Sequence, residues 1–204
     1  MLITKVVNTG IIILAAGESS RLGSPKQLLE FNNKYLLQYI IDISLASLTE
    51  NVVLVLGAYE NKIKTLLDLK NIKSIHNANW KIGMSSSIQC GLEAMLKINP
   101  DIEAVVFVLC DQPYLSTTIL NEIITKHLET GTEIVNCHYT DIFGPPVLFH
   151  KCLFPYLKLL KGNEGAIGVV KQFHEKVSHV NFPKGDSDID TMSDYHKLLQ
   201  NYAH

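Results

Sequence analysis

Short apolar runs alternate along most of the chain with longer segments in which apolar residues recur at helical spacing. The apolar runs predict strands at residues 11–15, 52–56, 72–76, 104–109 and 134–137. The helical spacing predicts helices at 36–48, 61–69, 84–96 and 116–128, the last with Ser116 as its N-cap. This alternation is typical of an α/β sheet with helical crossover connections. Because residues 53–55 and 105–108 are continuously apolar, helices should cover both faces of a mostly parallel sheet.

The rhythm changes after Ile134. The piece Gly144-Pro-Pro-Val-Leu-Phe149 is expected to form a turn with Pro145 and Pro146 and to fill the core with Phe149. Helical segments follow near 153–160 and 166–173, then a strand at 177–182 and a closing helix to about Tyr202. We therefore predict a single domain over residues 1–204 with two halves, one to about residue 133 and the other from about residue 134.

Composition narrows the classes of function. Of 204 residues, 47% are hydrophobic and 19% are charged, which predicts a compact domain without a disordered tail. A net charge of −2 gives no general attraction for nucleic acid. The apolar runs are too short to span a membrane, and the first nine residues lack the order of a secretory signal. We expect a cytoplasmic protein with no nucleic-acid or membrane partner.

Cysteine and histidine spacing does not indicate a structural metal or disulfides. The four cysteines form no Cys-x-x-Cys pair, and the eight histidines show no zinc-binding spacing. A domain of this size does not need disulfides, so free buried thiols are expected.

The loop after the first predicted strand carries the residues best suited to bind a nucleotide. It reads Leu14-Ala-Ala-Gly-Glu-Ser-Ser-Arg-Leu-Gly-Ser-Pro-Lys26. Small residues let the backbone approach a ligand closely, and Arg21 and Lys26 can neutralise polyphosphate oxygens. The spacing matches neither the dinucleotide-binding fingerprint nor the P-loop, which disfavours a dehydrogenase or a P-loop ATPase.

A carboxylate follows the apolar strand at 104–109. Ligands of open parallel sheets bind at the carboxyl ends of the strands, where Asp111 lies. Its oxygens suit Mg²⁺ bridged to phosphates. A turn-capping role beside Pro113 is equally compatible with the sequence.

A second carboxylate pair lies near the end of the chain, in Asp188-Ile-Asp-Thr191. Asp190 can complete a metal site with Asp111, or it can serve as a charge at the start of the last helix. We expect Asp186 and Asp188 to be solvated charges.

The segment 79–88 places small hydroxyl side chains and free N–H groups at a helix start, which can recognise a base or a ribose. The alternative is an ordinary helix entry with Trp80 at the core edge.

No nucleophile with a partner base is recognisable. Nucleotidyl transfer to an anionic phosphate needs none, because cation neutralisation, metal polarisation and in-line positioning suffice. On this hypothesis the half of the domain to about residue 133 is a nucleotide half, and the half from about residue 134 is an acceptor half.

Five motifs, in one order along nearly the whole chain, resemble those of the MobA-like nucleotidyltransferases, and within them the molybdenum cofactor cytidylyltransferases (MocA). The motifs are Leu14-Ala-Ala-Gly-x-Ser-x-Arg-x-Gly-x-x-Lys-Gln-Leu-Leu29, Asn79-Trp-x-x-Gly-Met-x-x-Ser-Ile-x-x-Gly-Leu92, Asp111-Gln-Pro113, Gly144-x-Pro-Val-Leu-Phe149 and Asp188-Ile-Asp-Thr191.

The resemblance implies a Rossmann-like three-layer α/β/α fold and transfer of CMP from CTP to a molybdopterin-type cofactor, with Mg²⁺ and release of pyrophosphate. By position, it implies that the backbone of Leu14, Ala15, Ala16 and Gly17 contacts the base and ribose and that Ser87 helps hold the nucleoside. It further implies that Arg21 and Lys26 hold the triphosphate and stabilise the transition state, while Asp111 and Asp190 bind Mg²⁺.

Three alternatives stay open. Ala15-Ala16 before Gly17 resembles the cytidylyl branch, but GTP is an alternative nucleotide. Asn163 and Ile167 stand where the cytidylyl enzymes commonly have an acid and an arginine, so another small phosphate can be the acceptor. A non-catalytic nucleotide-binding protein for molybdoenzyme maturation, with a molybdoenzyme or its chaperone as partner, is the third alternative.

Overall fold

The computed structural model describes residues 8–140 and 142–202. The expectation about a secretory signal therefore rests mainly on residues 1–7, outside the described part. The described residues form nine strands: β1 Thr9–Ala15, β2 Glu30–Phe31, β3 Lys34–Tyr35, β4 Asn51–Leu56, β5 Lys73–His76, β6 Ala104–Leu109, β7 Ile134–His138, β8 Phe143–His150 and β9 Val177–Asn181. Seven α-helices accompany them: α1 Leu36–Leu45, α2 Glu60–Leu66, α3 Met84–Ile98, α4 Thr117–Thr130, α5 Phe154–Leu157, α6 Ile167–Gln172 and α7 Met192–Tyr202.

Seven of the strands form one sheet in the order β5-β4-β1-β6-β8-β7-β9. Strands β5, β4, β1 and β6 are mutually parallel, and β9 pairs in parallel with β7. Within this sheet, β8 is the one described strand that runs antiparallel to both of its neighbours. The predicted mostly parallel sheet is confirmed, and the parallel strands bring the loops after β1 and β6 to one edge.

Successive residues of β1 pack into two different hydrophobic cores, one on each face of the sheet. Ile11 and Ile13 pack with the apolar faces of α1, α2 and α4 on one side of the sheet. Ile12 and Leu14 pack with α3, α5 and α6 on the other side. Continuous apolar strands between two helix layers are what the sequence predicts, and the three-layer α/β/α fold is confirmed.

The turn expected at Pro145 and Pro146 is not found, because residues 144–149 belong to strand β8. Phe149 is fully buried, as expected. Pairing of β7 with β8 jumps from Val135↔Leu148 to Cys137↔Gly144, which leaves Pro145 and Pro146 at an irregular stretch of the ladder. Proline is tolerated there because no ladder N–H is required. The rule that prolines exclude a strand therefore fails for Pro145 and Pro146.

Smaller differences concern element ends and surface residues. The hairpin β2–β3 has no counterpart in the prediction, and the helix expected at 153–160 is confined to α5. Ser116 caps α4 as predicted, its Oγ accepting a hydrogen bond from Ile119 N at 3.3 Å. All four cysteines are free, and Cys110 and Cys137 are buried as expected, but Cys90 is half-buried and Cys152 is exposed. None of the described helices is both long and apolar enough to cross a membrane.

The close packing of α3 on the sheet predicts a stability difference between two helical glycines. A Cβ added at Gly91 would lie 2.4 Å from Ile12 Cγ2 and 2.9 Å from Val55 Cγ2, whereas a Cβ at Gly168 in α6 meets nothing within 4 Å. Gly91→Ala should lower the free energy of unfolding by about 1–3 kcal/mol through overpacking. Gly168→Ala, the matched control, should leave it unchanged or raise it by up to about 1 kcal/mol. Urea denaturation measures both, and equal effects would contradict the packing argument.

Candidate active site

Two neighbouring cavities lie at the carboxyl edge of β1 and β6. The first has a volume of about 720 Å³ and is walled by Leu14, Ala16, Trp80 and Ser87, among others. The second has a volume of about 390 Å³ and is walled by the predicted charged residues, which are Arg21, Lys26, Asp111 and Asp190. The structure thus brings every predicted site residue to this edge, with Ala15 on the wall of the second cavity and Gly17 on the wall of both.

A buried glutamine shapes the loop after β1. Gln27 Nε2 donates to Ala15 O at 3.0 Å and to Gly17 O at 2.9 Å, on either side of the start of the loop. Lys26 N donates to Ser19 Oγ at 3.2 Å and so ties the far end of the loop to its middle. Because these bonds hold the loop backbone, the lysine side chain enters the cavity from a defined direction. The sequence analysis used Gln27 only as part of a motif, since an amide's partners depend on the tertiary fold.

Four charged side chains form a chain of ion pairs in the second cavity. Lys26 Nζ lies 2.5 Å from Asp111 Oδ2 and 3.4 Å from Asp190 Oδ1. Arg21 Nη2 lies 2.9 Å from Asp190 Oδ2. Burial alone would lower the pKa of Lys26, but the charge of Asp111, with smaller contributions that include Asp190, holds it above its ordinary value. Lys26 is therefore a fixed cation at neutral pH.

The carboxylates are linked through the backbone as well. Ile189 N donates to Asp111 O at 3.1 Å, which holds the segment before α7 against the end of β6. Asp188 was expected to be a solvated charge. The residue is exposed, yet the pKa of its carboxyl is raised to about 7, first by lost hydration and then by repulsion from Asp111 and Asp190. This edge of the sheet concentrates negative charge beside the two cations.

The donor set fits a divalent metal held jointly with substrate. No three His, Cys, Asp or Glu side chains in the described ranges are grouped so as to enclose a metal by themselves. Mg²⁺ is commonly held by only one or two carboxylates together with substrate phosphates. Asp111 Oδ1 is buried without a hydrogen-bond partner, which is the oxygen such an ion could satisfy. Asp111 and Asp190 are thus suitable for Mg²⁺ shared with phosphates.

The first cavity is bounded by the entry to α3. Ser87 Oγ accepts a hydrogen bond from Asn77 Nδ2 at 3.1 Å, and Ser86 Oγ accepts from the same nitrogen at 2.9 Å. Trp80 is half-buried against the core and also lines the cavity, so the two interpretations of this residue are compatible. The arrangement offers a flat aromatic ring and a hydroxyl in one recess, groups that can bind a nucleoside.

Two residues that depart from the cytidylyl pattern occupy different places. Asn163 lines both cavities, although the sequence assigned it to an acceptor half. Ile167 begins α6, is 46% exposed and is absent from the walls of both cavities. The first departure therefore changes the site itself, whereas the second does not border these two cavities.

A second buried glutamine, Gln112, was missed as a functional residue. Its Nε2 lies 3.0 Å from each of three acceptors, namely Tyr139 Oη, Pro145 O and Gly185 O. It therefore joins the end of β6 to the start of β8 and to the segment that leads to Asp190. The motif Asp111-Gln-Pro113 was the signal that could have identified Gln112, but the hydrogen-bond partners of this residue are distant in sequence.

Comparison with known proteins gives the following relatives. A Bacillus subtilis purine catabolism protein, PucB, is 27% identical over 195 residues, which cover 90% of this chain and 92% of that protein. A Vibrio vulnificus molybdenum cofactor guanylyltransferase is 29% identical, covering 81% and 82%. A nicotine blue oxidoreductase of Paenarthrobacter nicotinovorans is 31% identical, covering 67% of this chain and only 65% of that protein.

Structural and profile matches agree with these relatives. The manganese complex of Rv0371c from Mycobacterium tuberculosis superimposes with a TM-score of 0.79 at 26% identity, covering 94% of this chain and 98% of that one. The profile of the MobA-like NTP transferase domain matches residues 11–178. With more than half of its residues inside that profile, the chain belongs to the MobA-like NTP transferase family of nucleotidyltransferases.

Proposed function

We propose that this protein transfers CMP from CTP to a molybdopterin-type cofactor, with Mg²⁺, and releases pyrophosphate. The observation that carries the proposal is the cluster of Arg21, Lys26, Asp111 and Asp190 beside a cavity that can take a nucleoside. Fixed cations and metal-binding carboxylates are the groups that nucleotidyl transfer needs, because charge on the phosphates must be stabilised in the transition state.

Each residue has a role in this proposal. The backbone of Leu14, Ala15, Ala16 and Gly17 and the hydroxyl of Ser87 bind the base and ribose. Arg21 and Lys26 bind the triphosphate and stabilise charge on the leaving pyrophosphate. Asp111 and Asp190 hold Mg²⁺, which polarises the phosphate when bound.

The chemical step needs no protein nucleophile. An anionic oxygen of the acceptor phosphate forms a bond to the α-phosphorus of CTP while the bond from that phosphorus to the bridging oxygen breaks. The electron pair leaves on pyrophosphate, so atoms and charge balance without an oxidant or a base. The protein contributes in-line positioning and cations.

Two observations bear on the identity of the substrates. The name of the Vibrio vulnificus relative supports an acceptor of the molybdenum cofactor type. That same name favours GTP, whereas Ala15-Ala16 before Gly17 resembles the cytidylyl branch. A molybdoenzyme or its chaperone as the receiving partner belongs to the same proposal. The division into a nucleotide half and an acceptor half stays a prediction, and Asn163 on the nucleotide cavity argues against a strict division.

The proposed function predicts a preference among nucleotides. With Mg²⁺, CTP should raise the melting temperature more than GTP or ATP, because a ligand that binds the folded state stabilises it by about 2.7 kcal/mol at 100 times its Kd. With molybdenum cofactor added, CTP should release pyrophosphate. Scanning fluorimetry and a coupled pyrophosphate assay measure the two effects. A shift with GTP alone would replace CTP by GTP, and pyrophosphate release only with other phosphates would replace the acceptor.

The proposed function also predicts that Lys26 acts mainly in the transition state. Lys26→Met should lower kcat by about 10²–10³-fold, because a preorganised charge at the transferred group contributes most in the transition state. The Kd for CTP should rise much less, which steady-state kinetics and calorimetry together can show. Lys34→Met is the matched control, since Lys34 forms an ion pair with Asp42 outside both cavities. A Lys26→Met protein that loses affinity without losing turnover would leave Lys26 a binding residue outside the transfer step. A wild-type protein that binds Mg²⁺–CTP and releases no pyrophosphate would favour the non-catalytic binding protein.

A further inference from the structure

Asn163 stands where the two cavities meet. The residues that line both are Leu14, Gly17, Glu18, Met84 and Asn163. Four of them come from the first half of the chain, and Asn163 comes from the loop between α5 and α6. Among the described residues its side-chain amide has no hydrogen-bond partner, so the amide is available to a ligand.

The loop that carries Asn163 is fastened to the start of α3. Gly162 O accepts hydrogen bonds from Ser85 N at 3.2 Å and from Ser85 Oγ at 2.8 Å. Gln89 Nε2 donates to Lys158 O and Leu160 O, each at 2.9 Å. The side chain of Asn163 is therefore presented from an anchored backbone.

Close packing adds to these hydrogen bonds. A Cβ at Gly83 would lie 2.4 Å from Asn163 Oδ1 and 2.4 Å from Gly162 O. Gly83 also has φ of +122°, a conformation that favours glycine. The glycine before α3 thus lets the amide approach the helix that bears Ser87, and it places the amide at the boundary of the cavities.

The boundary coincides with the reacting phosphate under the proposed function, on which this inference rests. A nucleoside in the first cavity and the outer phosphates beside Lys26 and Arg21 leave the α-phosphate between them. The acceptor phosphate must approach the same atom for transfer. A side chain at the boundary can therefore contact an oxygen of either phosphate.

Charge explains why an amide suits this place. Glu18 on the shared wall and Asp111 and Asp190 in the second cavity already contribute negative charge against Arg21 and Lys26. An amide N–H can donate to a phosphate oxygen without adding charge. The acid that cytidylyl enzymes commonly have at this position can only accept, so it must contact a different group, and the exchange is one that can change specificity.

We propose that Asn163 is a specificity-determining residue whose side-chain N–H donates to a phosphate oxygen at the reacting centre. That oxygen belongs either to the α-phosphate of the nucleotide or to the acceptor.

The test compares Asn163→Asp and Asn163→Ala with the wild type, with Asn61→Asp as the control. Asn61 is exposed on α2 and lines neither cavity. We expect Asn163→Asp to lower kcat/KM at least tenfold and to do so more than Asn163→Ala, because it adds repulsion to the lost donor. Both variants should melt within a few degrees of the wild type. Asn61→Asp should be unchanged.

The Kd of Mg²⁺–CTP and the KM for the acceptor show which molecule supplies the contacted phosphate oxygen. A rise in the Kd of Mg²⁺–CTP in Asn163→Asp, measured by calorimetry, assigns the contact to the nucleotide. A rise in the KM for the acceptor with an unchanged Kd for CTP assigns it to the acceptor. The proposal would be overturned if both variants stayed within twofold of the wild type in kcat/KM, in the Kd of Mg²⁺–CTP and in the KM for the acceptor. It would also be overturned if Asn163→Asp and Asn163→Ala lowered kcat/KM equally.

Failure of the proposed function gives a different result. A wild-type protein that releases no pyrophosphate with CTP or GTP overturns the transferase assignment. Calorimetry with Mg²⁺–CTP and with molybdopterin on the same variants then tests whether Asn163 contacts a phosphate oxygen. Unchanged affinity for both, or no binding of either, overturns the contact as well.

Discussion

The ion pair between Lys26 and Asp111 is the interaction around which the active edge is organised. Both side chains are mostly shielded from water, with 18% and 13% of their surfaces exposed. Removing two charges from water costs several kcal/mol, and their attraction seldom gives much net stability in return. A buried pair is therefore weak evidence for a stabilising role. A binding role explains it better, because charges fixed in advance interact with a phosphate without reorganisation.

Two buried glutamines hold the chain segments around this pair in place. Gln27 binds the carbonyls of the loop before Lys26, and Gln112 binds the segment leading to Asp190. Each also has a buried Oε1 without a partner among the described residues. An unsatisfied buried oxygen costs free energy, as does the unpaired Asp111 Oδ1. Such unmet polar atoms next to the cluster are typical of a site built for a ligand rather than for stability.

The sequence could predict the sheet because apolar runs and helical spacing are local signals. It could also place Asp111 and Lys26 at one edge, because parallel strands present their carboxyl ends together. The sequence could not predict strand β8, because its prolines lie at an irregularity of the hydrogen-bond ladder that only the pairing with β7 reveals. The roles of Gln27, Gln112 and Asn163 depend on partners or neighbours supplied by the tertiary fold, up to 80 residues away for Asn163 and Gly83. No local pattern encodes such contacts, so these residues become visible only in the structure.

Family membership alone does not determine the reaction, as the names of the relatives show. One is a guanylyltransferase and another a nicotine blue oxidoreductase that this chain matches over 65% of its length. Function therefore has to be argued from the site. A pair of aspartates facing a lysine and an arginine has an evident use when several phosphates and a divalent ion must be held together. Hydride transfer makes no comparable demand, since the bond that breaks bears no phosphate and the cofactor supplies the chemistry. The ion-pair chain, together with the anchored amide at its border, thus favours transfer of a nucleotidyl group for this member of the family.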